Sequence, residues 1–288
     1  MAMNLELSTG QMRKLNSLEE VHNDYDLFLF DAYGVLVVTN GSLPGAAEML
    51  QSLRDKSKEF LVVTNDASKL QETASMSYGS RGLEIEPSRI ISSGLVLEQY
   101  IRSNKELHRK RLVVIGTDDS REYARRGGAI PVRYDQDFDG IVFADGADEN
   151  FNVLFEPLFN RYQKYVCEGV LLPLIMANPD MLYPRGGNEF GWAIGAYAKM
   201  FNDILKTRFP HHEEFPWVYL GKPYNPIYEL ALSKFPGKKA LFIGDTLETD
   251  IAGANAMSLD TLLITTGVSG IPDATKSNLL PTYTMHSW

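Results

Sequence analysis

Cysteine is nearly absent: the chain has one, Cys167, and a lone thiol cannot close an internal disulfide. The fold must rest on its buried core, and a reducing compartment with a bystander thiol is the expected setting. Long apolar runs are missing as well. No stretch approaches the roughly 18 apolar residues of a membrane-crossing helix, and residues 1–24 carry charges throughout with no signal-like apolar block. A cytoplasmic location without membrane association is expected. Positive charge is in deficit: 28 Lys and Arg against 37 Asp and Glu give a formal net charge of −9. That balance disfavours nucleic acid, which is held through basic surfaces. It leaves a phosphorylated small molecule open, because a metal ion can invert the local field. Repeats and low-complexity linkers are also lacking, so two domains would have to be joined by short hinges.

What is present is an alternation of apolar strands and amphipathic helices. The run 27–36, "LFLFDAYGVL", reads as a strand ending in a loop. "LPGAAEMLQSLRDKS" then reads as a helix, "KEFLVVTND" as a strand, and "RIISSG" and "KRLVVIGTD" as two more strands with helices between. Ahead of them, Leu5, Met12, Leu15, Leu18 and Val21 have loosely helical spacing and predict a short amphipathic segment. Strands that are apolar on both faces predict a parallel sheet covered by helices on either side, an α/β architecture. Length allows a Rossmann-like core of residues 1–93 and 216–288 with an inserted α/β cap of residues 94–215, hinged near Gly94 and Phe215–Pro216.

Four strand ends carry polar residues of one kind: Asp31, then Thr64–Asn65, then Lys222, then Asp245 with Asp250. Ligands of open parallel sheets bind beyond the carboxyl ends of the strands, where these groups would converge. Clustered carboxylates repel, and a divalent ion relieves that; an all-oxygen donor set selects Mg²⁺. Aspartate can act as a nucleophile towards phosphorus. Each piece alone is an ordinary capping residue or turn, but the ordered set points to metal-assisted phosphoryl transfer.

With the motifs "FDAYGVL", "VVTND", "GKP" and "IGDTLETD" in this order, the chain resembles the haloacid dehalogenase superfamily over roughly residues 25–284. "VTNDASK" and "ANPDMLYPRGG…GWAIGAYAK" are similar to the large-cap subfamily that includes N-acetylglucosamine-phosphate and p-nitrophenyl-phosphate phosphatases. The resemblance implies Asp31 as nucleophile and metal ligand. It implies the Tyr33 carbonyl and Asp245 as further ligands, with Asp250 supporting the metal shell. Thr64, Asn65 and the backbone around Tyr33–Gly34 would hold the phosphoryl group, Lys222 would stabilise its charge, and Asn178 and Asp180 of the cap would touch the substrate. The implied partner is a small phosphorylated metabolite, and caps of related proteins allow a homodimer.

One position departs from the pattern. Most phosphatases of this superfamily place a second aspartate where Tyr33 stands, and its acid–base help is worth about 10²–10⁴-fold. A phenol is too weak an acid near neutrality to replace it. The "DAYG" stretch is shared with metal-independent 2-haloacid dehalogenases, whose halide needs no proton, but those lack the acidic "GD…D" loop. Within the phosphate reading three explanations stand: a good leaving group, a proton from Asp66 or Asp180, or a phospho-ligand binding protein with little turnover. Elsewhere, His211–His212–Glu213–Glu214 reads as a solvated loop, "ARRGG" at 124–128 as a glycine-capped helix end, and Phe151, Phe155, Phe159 and Tyr162 as core.

Overall fold

The computed structural model describes residues 12–38, 41–146, 151–186, 189–269 and 279–288. Two parallel sheets organise the chain. In the first, the strands run in the order Arg13–Lys14, Tyr283–Met285, Asp260–Ile264, Ala240–Gly244, Leu27–Phe30, Glu59–Thr64 and Ile90–Ser92, and every neighbouring pair is parallel. In the second, the order is Trp217–Tyr219, Leu174–Met176, Gly140–Phe143, Arg111–Ile115 and Ile130–Val132, again all parallel. The α/β class read from the alternation of elements is the one observed.

The central strand Leu27–Phe30 is buried on both faces. Leu27 and Leu29 face one core cluster and Phe28 and Phe30 the other, as the two-residue strand period requires. The first of these clusters also takes in Leu112, Val114, Val142 and Ile175 of the second sheet. One continuous core therefore fills the space between the sheets, around helices Ser93–Ser103, Asp118–Gly127 and Asn225–Ser233. Beyond the second sheet, helices Phe151–Cys167 and Ile194–Arg208 close a third cluster.

Sheet membership differs from the expected division at one strand. Trp217–Tyr219, expected with the first layer, pairs with Leu174–Met176 of the second sheet. The chain thus returns through Leu220–Gly221–Lys222, directly into the site. The described part of the expected amphipathic segment forms the strand Arg13–Lys14 and the 3₁₀ turn Leu18–Glu20, followed by a second turn, His22–Asp24. Leu15, Leu18 and Val21 are buried all the same; Ser17 caps the first turn through its Oγ, 3.0 Å from Glu19 N. Leu5 lies outside the described residues. The strand Ile130–Val132, with Pro131 in it, occupies the edge of its sheet, the place where a missing N–H is tolerated. Gly128 closes helix Asp118–Gly127 at φ +109°, as the "ARRGG" pattern predicts.

The loop after strand Glu59–Thr64 is stitched to helix Asp118–Gly127. Thr117 Oγ1 donates to Ser68 O at 2.6 Å, Ser120 Oγ to Ala67 O at 2.8 Å and Tyr123 Oη to Lys69 O at 2.9 Å. In return Leu70 N donates to Asp119 Oδ2 at 2.9 Å. The loop that follows Thr64 and carries Asn65 is thereby fixed by side chains of the second layer. Tyr123→Phe removes the bond to Lys69 O and the one between Tyr123 Oη and Ser92 Oγ at 3.1 Å. The expected loss is about 1–3 kcal/mol of stability, read from urea unfolding midpoints at unchanged slope.

Candidate active site

Strands Leu27–Phe30, Ala240–Gly244 and Glu59–Thr64 are neighbours in the first sheet. The chain builds outward from Leu27–Phe30 to one side, then resumes on its other side with Ala240–Gly244. The switch point of the topology therefore lies between them, where ligands of such sheets bind. Asp31 follows the first strand and Asp245 the second. A turn of π-helix, Leu247–Ile251, with Ile251 N donating to Thr246 O at 3.3 Å, folds Asp250 back. Asp250 Oδ2 accepts from Asp245 N and Thr246 N at 3.1 and 3.2 Å. Asp31, Asp245 and Asp250 each offer a carboxylate oxygen, all within 4.8 Å of one another.

Lys222 is 3% exposed and sits among them. Its Nζ donates to Asp31 Oδ1 at 2.5 Å and to Asp250 Oδ1 at 2.7 Å. Asn65 holds the lysine's backbone from both sides: Lys222 N donates to Asn65 Oδ1 at 2.7 Å, and Asn65 Nδ2 donates to Lys222 O at 3.0 Å. The other hydrogen of that amide goes to Asp180 Oδ1 at 2.8 Å. Asp180 is itself placed by a turn in which its N–H donates to Asn178 Oδ1 at 2.9 Å. So Asn178 and Asp180, which follow strand Leu174–Met176 of the second sheet, reach the residues that follow the first.

Charge dictates the electrostatics. Three ionised carboxylates and one ammonium sum to −2, and like charges at such separations repel by roughly 3–4 kcal/mol per pair at an effective dielectric of about 20. Burial, reinforced by the charges of Asp250 and Asp245, holds the Asp31 carboxyl well above the ordinary range, although Lys222 pulls it down. Burial and the Asp250 charge push Asp245 up to about 7, against hydrogen bonds from Val268 N and Thr246 Oγ1. Burial alone would lower Lys222, but the charges of Asp250 and Asp31 together keep it above its usual value and protonated. The residues fit a divalent cation: an all-oxygen set with a residual charge of −2 and no second ammonium hydrogen-bonded to it among the described residues.

Most of the predicted residues are brought together. Asp31, Tyr33, Thr64, Asn65, Asn178, Asp180, Lys222 and Asp245 line one cavity of about 1060 Å³. Gly34 N, expected to face phosphate, donates to Val37 O at 2.9 Å. Gly34 acts sterically instead: at φ +86°, a Cβ there would lie 2.0 Å from Asp245 Oδ2. The Asn65 side-chain amide is committed to Lys222 and Asp180. Asp66 is similarly engaged: Oδ1 accepts from Ser68 N and Oγ at 2.8 and 2.5 Å, and Oδ2 pairs with Lys69 at 2.9 Å. Lys69, Arg81, Asp145 and a set of aromatic rings also line the cavity and escaped the sequence reading. Phe151, read as core, is one of those rings; Phe155 and Tyr162 are buried as expected. Their common helical spacing does not tell a core from a cavity wall. His211, Glu213 and Glu214 are exposed, as a solvated loop requires, and Cys167 is exposed.

Asp31 and Asp245 titrate higher folded than unfolded. The folded chain holds extra protons between about pH 4, the ordinary carboxylate range, and about pH 7 for Asp245. Stability is therefore lost as pH rises through that window. The metal-free unfolding midpoint is expected to fall as pH is raised across it. A divalent cation should raise the midpoint more above the window than below it. Equal shifts at both pH values would contradict the electrostatic picture.

Comparison with known proteins agrees with this geometry. The family model described as haloacid dehalogenase-like hydrolase matches residues 28–129, and a second, HAD-hydrolase-like model matches residues 219–287. The chain is 25% identical over 255 residues to ribonucleotide monophosphatase NagD of Escherichia coli, covering 88% of this chain and 92% of that one. It is 26% identical over 278 residues to 4-nitrophenylphosphatase of Schizosaccharomyces pombe, covering 89% and 90%. The crystal structure of a possible sugar phosphatase from Cytophaga hutchinsonii superposes with a TM-score of 0.82 at 28% identity, covering 96% of this chain and 98% of that one. The ordered motifs, the switch-point carboxylates and these matches together place the chain among the haloacid dehalogenase-like hydrolases, in the large-cap group of NagD and the 4-nitrophenylphosphatases.

Proposed function

We propose that the chain is a Mg²⁺-dependent phosphatase for a small phosphorylated metabolite, working through an aspartyl-phosphate on Asp31. The observation that carries this is the pairing of Asp31 with Lys222 at 2.5 Å inside a cluster of three carboxylates. A nucleophile towards a phosphate dianion must itself be anionic, and Lys222 keeps charge neutralisation at the reacting oxygen. Asp31, Asp245 and Asp250 would hold the cation, with the Tyr33 carbonyl as a further ligand, and bound Mg²⁺ would neutralise charge on the phosphoryl oxygens. Thr64 supplies a hydroxyl on the cavity floor. The second layer acts as the cap, and its crossings lie at Ser92–Ser93 and Leu220–Gly221.

In the first step an Asp31 oxygen forms its bond to phosphorus as the bond to the leaving oxygen breaks, and the electron pair departs with that oxygen. Tyr33 cannot protonate it well, and Asp66 is held by Ser68 and Lys69. In the second step water attacks phosphorus, releasing Asp31 and inorganic phosphate. Asp180 would take the water's proton, a role supported by its lining the cavity and by burial that pushes it up to about 6. The relatives act on ribonucleotides and 4-nitrophenyl phosphate by name, so the leaving group varies within the family.

Purified protein with Mg²⁺ is expected to hydrolyse p-nitrophenyl phosphate and acetyl phosphate, and Asp31→Asn to abolish both. Tyr33→Asp is expected to raise the rate on an alkyl phosphate by about 10²-fold or more. Tight phosphate-ester binding without turnover would instead identify a ligand-binding protein. Metal-independent chloride release from 2-chloropropionate would identify a dehalogenase.

A further inference from the structure

We infer that a cavity at the edge of the second sheet, lined by Arg121, Arg125 and Arg133, is a second binding site, for a small organic dianion with an apolar body. It shares no lining residue with the cavity that holds Asp31, and it does not depend on the phosphatase reading.

Charge is unevenly distributed along the chain. Residues 102–133 hold nine Lys and Arg against four Asp and Glu, although the net charge of the whole is −9. This basic stretch folds into strand Arg111–Ile115, helix Asp118–Gly127 and the edge strand Ile130–Val132. The edge strand pairs with Arg111, Leu112 and Val113 and then stops. Val114 and Ile115 run on without a partner in it. The chain leaves through a turn in which Gln136 N donates to Arg133 O at 3.1 Å. A cavity of about 280 Å³ opens at this step in the sheet, a volume suited to a small ligand.

The lining divides by chemistry. Val113, Ile115 and Leu154 supply apolar surface, the three arginines supply charge, and no Asp or Glu lines it. The reactive cavity is the reverse, with six carboxylates against three cations. Without a metal, an anion is drawn to the arginines and not to Asp31. Each arginine meets a carboxylate outside the lining: Arg121 with Asp118 at 3.2 Å, Arg125 with Glu122 at 2.8 Å and Arg133 with Asp135 at 3.2 Å. Exposed pairs of this kind are weak and exchangeable. Arg125 spends only Nη1 on Glu122, and Arg133 spends Nε and Nη2 on Asp135. Other N–H groups of both guanidiniums are left for a ligand oxygen, and a planar fork suits carboxylate or phosphate. An apolar body then covers the valine, isoleucine and leucine at the same time.

The test is calorimetric titration of the metal-free protein with phthalate, a dianion on an apolar ring, and in parallel with phenylphosphonate. At least one is expected to bind with a Kd of about 1 mM or tighter. Phthalamide, the uncharged counterpart, should not bind. Arg125→Gln is expected to weaken binding about tenfold, the effect of one lost charge-assisted hydrogen bond. Arg125→Lys, which keeps the charge without the fork, should fall between. Arg126→Gln changes an arginine of the same helix that does not line the cavity, and its Kd should stay within about twofold of wild type. No binding of either dianion up to about 10 mM would overturn the inference. Equal weakening by Arg125→Gln and Arg126→Gln would overturn it too, by reducing the effect to diffuse surface charge.

Discussion

One ammonium, that of Lys222, makes the rest of the site possible. It lies between Asp31 and Asp250, 2.5 and 2.7 Å away, with almost no access to water. Without it, three carboxylates would share a buried space with no countercharge, a situation costlier than the loss of an ordinary ion pair. Its position is in turn dictated by Asn65, which clasps the backbone of Lys222 on both the N–H and C=O sides. Gly221 allows that clasp: a Cβ there would sit 2.6 Å from Asn65 Oδ1. The cation, the amide and the glycine are one device, drawn from positions more than 150 residues apart.

Topology supplies the setting. Both parallel sheets direct residues that follow their strands into one cavity: Asp31, Thr64 and Asp245 from the first, Asp145, Asn178 and Asp180 from the second. The hydrogen bond from Asn65 to Asp180 links the two sets directly. The core between the sheets is continuous, and the loop bearing Thr64 is tied to helix Asp118–Gly127. The Asp31–Lys222 cluster and the residues that follow the second sheet's strands are consequently held in register by ordinary packing and hydrogen bonds.

The motifs at Asp31, Thr64 and Asp245 could be read from the chain because each lies at the end of an apolar, largely buried strand, a pattern with a local signature; the one at Lys222 follows the half-buried strand Trp217–Tyr219. Asp31, Thr64, Lys222, Asp245 and Asp250 were all reachable from these strands. What resisted reading depends on partners distant in sequence. The edge strands Arg13–Lys14 and Ile130–Val132 are too short for a period to show, and Pro131 disguises the second. The hydrogen bonds of Gly34 N to Val37 and of the Asn65 side chain to Lys222 and Asp180 emerge only in three dimensions. Phe151 shares the helical spacing of Phe155, yet it stacks on Tyr197 and lines the cavity with it.

The central claim is that Asp31, held by Lys222, takes the phosphoryl group covalently. Rapid acid quenching during turnover of acetyl phosphate, followed by peptide mass spectrometry, tests it most directly. The account predicts the mass increment of one phosphoryl group on the peptide carrying Asp31, absent when Asp31 is replaced by Asn. Steady turnover with no modified peptide, or with the phosphoryl group on another residue, would contradict it.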